Sequence, residues 1–219
     1  GHYLVKLTSA GVCNSDLYRG FERGAYRYPL VMGHELSGEV VDRSLGLKLY
    51  DVGHKVAIFP LLPCQNCPAC QRRQWTYCKH YDYFGSRRDG GFQEFLSVPE
   101  WNLLSVPQGV DVALASLCEP VAVAIHAANA LPQQGSGAEV AILGGGFLGI
   151  VAALTLKARP GFQAITVFDR NPFKLELVRK LGLQGESYEA IGSFADRYGF
   201  VLEACGAQAT YHHSLALAA

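Results

Sequence analysis

Glu139-Val140-Ala141-Ile142-Leu143-Gly144-Gly145-Gly146-Phe147-Leu148-Gly149 decides the fold. A short apolar run leads into G-x-G-x-x-G, and an apolar stretch of helical length, 149–159, follows. Glycines recur in ordinary turns, so the pattern is weak alone. A strand before it and a helix after it give it the context of a dinucleotide site. Gly144 permits the tight turn, Gly146 lets the backbone approach a pyrophosphate, and Gly149 lets the helix pack closely on the strand. Phe147 and Leu148 lead into that helix, whose N-terminus offers free N–H groups and a positive dipole end to the phosphate.

Downstream, 164–168 reads as a second apolar strand ending at Asp169, 20 residues after Gly149. A carboxylate there can accept hydrogen bonds from a ribose 2′-OH and repel a 2′-phosphate, which favours NAD over NADP. Arg170 beside it pulls the other way. Asp169 also reads as a turn or N-cap residue before Asn171-Pro172. That pair opens a segment with Leu175, Leu177, Val178 and Leu181 near helical spacing. A strand at 200–204 and a helix from 210 follow. Strands alternating with helices imply a parallel sheet.

Upstream the character changes. Residues 1–110 read as mostly β: strands at 1–12, within 31–41, at the end of 51–58, at 90–98 and at 102–107, with Gly, Pro and polar turns between them. Ala and Leu dominate 113–131, which suggests helices, and 132–137 reads as a turn or linker. The expected domains are 1–126 and 127–219.

Inside the β-rich part lie Cys64, Cys67, Cys70 and Cys78. Interlocked C-x-x-C pairs with a fourth sulfur nearby put four thiolates on one tight loop, as a tetrahedral metal site needs. Four thiolates make a closed, structural zinc site that contributes folding energy and no chemistry. Seven cysteines with no secretion signal argue against a disulfide framework.

The chain has 219 residues, 49% hydrophobic and 17% charged, a globular composition. Lys+Arg and Asp+Glu are 19 each, so no bulk field holds nucleic acid or an anionic membrane. No apolar run reaches the roughly 20 residues of a spanning helix. The start, Gly1-His2-Tyr3-Leu4-Val5-Lys6, lacks the plan of a signal peptide, so a cytoplasmic location is expected.

Cys13, then Gly33-His34-Glu35, then the four cysteines, then G-x-G-x-x-G is the motif order of the zinc-dependent medium-chain alcohol and polyol dehydrogenases, which the chain resembles over nearly its whole length. The resemblance implies a GroES-like catalytic domain followed by a doubly wound Rossmann domain. It also implies two Zn²⁺ per chain and NAD. Cys13 and His34 would bind the catalytic zinc, and Glu119 would match the third protein ligand of the polyol branch. Glu35 would be a ligand or a partner that exchanges with water. Ser15 would take the substrate proton, and Lys174 would contact the adenosine ribose. Tyr18 stands where many members carry a relay His. Against that family the chain lacks the first strands and the final third, so a truncated and inactive product is one expectation. A homodimer or homotetramer is expected of a full-length form.

The reaction so implied oxidises a secondary alcohol of a polyol or polyol phosphate. Arg19, Arg87 and Arg88 bear on the phosphate, because a guanidinium fork suits one. Arg-Arg-Asp-Gly is equally good chemistry for a solvated turn. A free polyol or threonine is the alternative substrate. A zinc-stabilised nucleic-acid module is opposed by the neutral charge and the glycine fingerprint.

Overall fold

A computed structural model describes residues 1–132 and 137–219. Residues 133–136 of the expected linker lie outside the described part. The first half comprises β1 (His2–Gly11), α1 (Asn14–Leu17) running into a π-helical turn (Tyr18–Glu22), β2 (Glu35–Arg43), β3 (Lys55–Ile58) and β4 (Leu61–Leu62). It continues with α2 (Pro68–Gln71), β5 (Asp82–Tyr83), β6 (Phe95–Pro99), β7 (Leu103–Ser105) and α3 (Val112–Ala115). Then come α4 (Cys118–Asn129), β8 (Glu139–Leu143), α5 (Phe147–Lys157), β9 (Ala164–Asp169), α6 (Pro172–Lys180), β10 (Gln184–Ser187), β11 (Phe200–Glu203) and α7 (Gln208–Leu217).

Two compact units result, Gly1–Glu119 and Pro120–Ala219, and the division falls inside α4. In the first, five antiparallel strands lie in the order β6-β1-β2-β3-β7. Alternation along β1 turns Tyr3 and Val5 inward, where they pack with Leu36, Val40, Val56, Ile58 and Val98. The glycine-led part of 90–98 is no strand. Its N–H groups instead bond backward, Gly90 to Val31 O, Gly91 to Gly33 O and Phe92 to Met32 O, which pins the segment entering His34.

The second unit is a parallel sheet ordered β10-β9-β8-β11. Val140, Ala141, Ile142 and Leu143 are all fully buried, as a parallel strand covered on both faces requires. Ala153 and Leu156 of α5 pack on one side, with Val178 of α6 in the same core. The sheet and its following helices are a Rossmann-type arrangement. Among the described residues no helix is long and apolar enough to cross a membrane.

Candidate functional site

The cysteine lobe hangs from a corner held by one side chain. Buried Asn102 donates its amide N–H groups to the carbonyls of Phe59 and Leu61, both at 2.7 Å, where the chain leaves β3 for β4. Cys67 caps α2, with Pro68 at its first position. All seven cysteines are free thiols. The Sγ atoms of Cys67 and Cys70 are 3.5 Å apart, and the pairs Cys64–Cys70 and Cys67–Cys78 are at 3.9 Å. A tetrahedron with metal–sulfur bonds of about 2.3 Å has edges of about 3.8 Å, so the cluster fits Zn²⁺. The Cys64 N–H donates to Cys78 Sγ at 3.3 Å, and the Cys70 backbone lowers the Cys67 thiol to about 6, while burial and Cys67 push the Cys70 thiol up to about 12. Ionised thiols are the form a metal takes.

The second cluster is assembled by strand register. β1 and β2 pair antiparallel with Gly11 opposite Glu35, which sets Cys13, just past β1, beside His34 and Glu35. A Cβ on Gly11 would fall on a Glu35 carboxylate oxygen, so the glycine makes room for that side chain. Donor atoms of Cys13, His34 and Glu35 lie within 4.8 Å of one another. Asp16 closes the turn by accepting the Cys13 N–H at 3.1 Å.

His34 is 5% exposed and Asp16 2%, and His34 Nδ1 lies 3.4 Å from Asp16 Oδ1. Neither buried atom makes a well-aligned hydrogen bond in the protein. Burial disfavours the charged imidazole, but Asp16 and Cys13 outweigh it and raise His34 to about 10. His34 is also the main cause that lowers the Cys13 thiol. Burial, then the charge of Glu119, raise Glu35. Acidic groups that hold a proton on one buried imidazole favour a cation there, and a ligating His commonly turns its other nitrogen to a carboxylate. The donor set fits Zn²⁺.

Glu119 stands just outside this trio. Its Oε1 accepts the Tyr83 hydroxyl at 3.2 Å, and the Tyr83 ring meets His34 edge-on with centroids 5.9 Å apart. Arg19 Nη1 donates to Ser15 Oγ at 3.0 Å and lies 3.5 Å from Asp16 Oδ1. Arg87 is stacked between Tyr26 and Tyr81, and Arg88 is paired with Asp82 at 2.6 Å. Tyr18, set by the resemblance where many members carry a relay His, is half-exposed. Neither Tyr83 nor Asn102 is singled out by sequence pattern, because each bonds a partner distant along the chain.

In the second unit Gly144 has φ +112°, the left-handed turn the fingerprint needs, and Gly146 caps α5 over open space. A Cβ on Gly149 would fall on the Gly144 carbonyl oxygen. Gly149→Ala is therefore expected to push α5 off β8 and weaken dinucleotide binding at least tenfold, about 1.4 kcal/mol, measured by calorimetric titration. Phe147 and Leu148 form the first turn of α5. Asp169 accepts the Gly145 N–H and the Asn171 N–H, both at 2.8 Å, and Lys174 Nζ lies 3.6 Å from its Oδ2. Asn171, not Asp169, caps α6, by accepting the Phe173 N–H at 3.0 Å. Arg170 is exposed.

Residues 1–108 match the alcohol dehydrogenase GroES-like domain. With the Rossmann-type sheet that follows, the chain is similar over its length to zinc-type medium-chain dehydrogenases. Among its relatives is galactitol 1-phosphate 5-dehydrogenase of Escherichia coli (strain K12), 38% identical over 178 residues, 81% of this chain and 51% of the relative. The crystal structure of galactitol-1-phosphate dehydrogenase from Escherichia coli matches with a TM-score of 0.87 and 34% identity, over 99% of this chain and 65% of that one. A dehydrogenase from Sinorhizobium meliloti 1021, solved bound to NADP, gives 0.90 at 27% identity, over 99% and 66%. An alcohol dehydrogenase from Escherichia coli CFT073, solved with NADH, gives 0.87 at 26%, over 100% and 66%. The chain spans about half the length of the curated relative it matches.

Proposed function

We propose that the protein is a zinc-dependent oxidoreductase that transfers hydride from a secondary alcohol of a polyol or polyol phosphate to NAD⁺, giving the ketose or its phosphate. The observation that carries this reading is the convergence of Cys13, His34 and Glu35 within 4.8 Å. Cys13, His34 and Glu119 would hold the catalytic zinc, and Glu35 would be a ligand or exchange with water. Cys64, Cys67, Cys70 and Cys78 would hold the structural zinc. A homodimer or homotetramer belongs to the same reading.

Bound zinc supplies Lewis acidity that lowers the pKa of an alcohol hydroxyl, and NAD⁺ supplies the hydride acceptor. Ser15 is the proton carrier. Its oxygen has two lone pairs and one hydrogen. Arg19 takes one lone pair, which fixes the rotor. The other lone pair is left for the substrate proton, and the hydroxyl hydrogen is free to pass outward. Asp16 holds the His34 ring from its Nδ1 side.

Arg19 supports a phosphorylated substrate, because it alone of the three arginines contacts Ser15. The engagement of Arg87 by two tyrosines and of Arg88 by Asp82 favours the second reading, a free polyol. Zinc-loaded protein should be offered NAD⁺ with galactitol 1-phosphate, galactitol, sorbitol and threonine. Reduction with the phosphate alone is expected. Equal rates with free galactitol would remove the phosphate from the proposal, and turnover of threonine alone would remove the polyol.

NAD preference rests on Asp169. Its carboxylate is oriented by two backbone N–H groups and Lys174. Asp169→Ser is expected to shift the NAD⁺/NADP⁺ affinity ratio toward NADP⁺ by about tenfold, or about 1.4 kcal/mol. Titration with both cofactors checks it, and an unchanged ratio would oppose the role.

A further inference from the structure

Besides Asp16, which holds the Cys13 turn and faces His34 Nδ1, two carboxylates flank the Cys13–His34 pair, and the protein treats them differently. Glu35 sits within the donor group, seated in the space that Gly11 leaves. Glu119 is tethered through Oε1 to the Tyr83 hydroxyl at 3.2 Å, which leaves Oε2 as its free oxygen. Tyr83 is itself well placed. It ends β5, which pairs with β4 through Leu61 opposite Tyr83, and its ring packs edge-on against His34.

We propose that Tyr83 is a positioning residue that decides which carboxylate joins Cys13 and His34 at the metal. With the phenol in place, Glu119 offers one oxygen from a fixed direction. Without it, Glu119 turns freely, loses its hold at the metal, and Glu35 takes its place. A ligand carboxylate is commonly held by an outer hydrogen bond, and loss of such a partner typically changes metal affinity by about 10–100-fold. The inference rests on the proposed metal at Cys13 and His34.

The test is Tyr83→Phe, which keeps the ring against His34 and removes only the hydroxyl. Cobalt(II) is loaded into both wild type and variant. The visible absorption bands report the donor set, and competition with a chelator reports affinity. The variant is expected to show altered bands and at least tenfold weaker binding at this site, with the four-cysteine site unchanged. In a Glu119→Ala background the same change should alter neither, because the phenol then holds nothing. Identical spectra and affinities in wild type and Tyr83→Phe would overturn the inference and leave the proposed function standing. An equal effect in both backgrounds would assign Tyr83 to packing and also overturn it. A wild type that takes metal only at the four cysteines would overturn the metal reading, and this inference with it.

Discussion

If the proposed two zinc sites are both filled, Cys70→Ser is expected to leave one zinc bound and to lower the Tm by about 10 °C. The lobe between β4 and β5 has almost nothing else to hold it. It contains one turn of α2 and a 3₁₀ turn at Trp75–Tyr77, and its buried residues in these pieces reduce to Cys70 itself. Three sulfur–sulfur distances of 3.5–3.9 Å suit a metal, which would then be the core of the lobe. Structural zinc contributes directly to folding. A loss of about 3–4 kcal/mol corresponds to roughly 10 °C for a chain of this size. Metal content and a thermal melt on the same sample check the prediction. An unchanged melt with two zincs bound would contradict it.

His34→Ala is expected to lower kcat/KM by about a thousandfold or more, or about 4 kcal/mol in the barrier. The imidazole is the one nitrogen donor among acidic groups at the site, and it is nearly fully buried. The change also leaves Asp16 Oδ1 with Arg19 alone as a cationic neighbour, so stability should fall as well. Zinc at the four cysteines and dinucleotide affinity should both persist. That pattern distinguishes loss of one site from general unfolding, and retained turnover would oppose the assignment of His34.

How legible each feature is in the sequence depends on how far apart its parts lie along the chain. The strand at Glu139–Leu143 and the glycine turn can be read because they are contiguous, and each glycine answers a local need: positive φ at Gly144 and close approach at Gly149. The cysteine lobe can be read because its ligands fall within one loop. Cys13 and His34 cannot be joined by spacing. The pairing of Gly11 with Glu35 joins them, and only the family resemblance anticipates it. β10 escapes notice because Gln184-Gly185-Glu186-Ser187 has no alternation; parallel pairing to β9 makes it a strand. Tyr83 reads as one more aromatic in Tyr81-Asp82-Tyr83-Phe84 until its hydroxyl is seen on Glu119. Arg88 reads as a phosphate ligand by its guanidinium, yet its nearest anion is Asp82.

The most direct test of the central claim follows one hydrogen. Zinc-loaded protein would be given NAD⁺ and a polyol, free or phosphorylated, carrying deuterium on its secondary carbinol carbons, with and without a chelator. The account predicts reduced cofactor bearing one deuterium on the nicotinamide ring, abolished when the zinc is withdrawn. Unlabelled NADH, labelled NADH formed equally well after zinc removal, or no reduced cofactor from protein holding both zincs would contradict it.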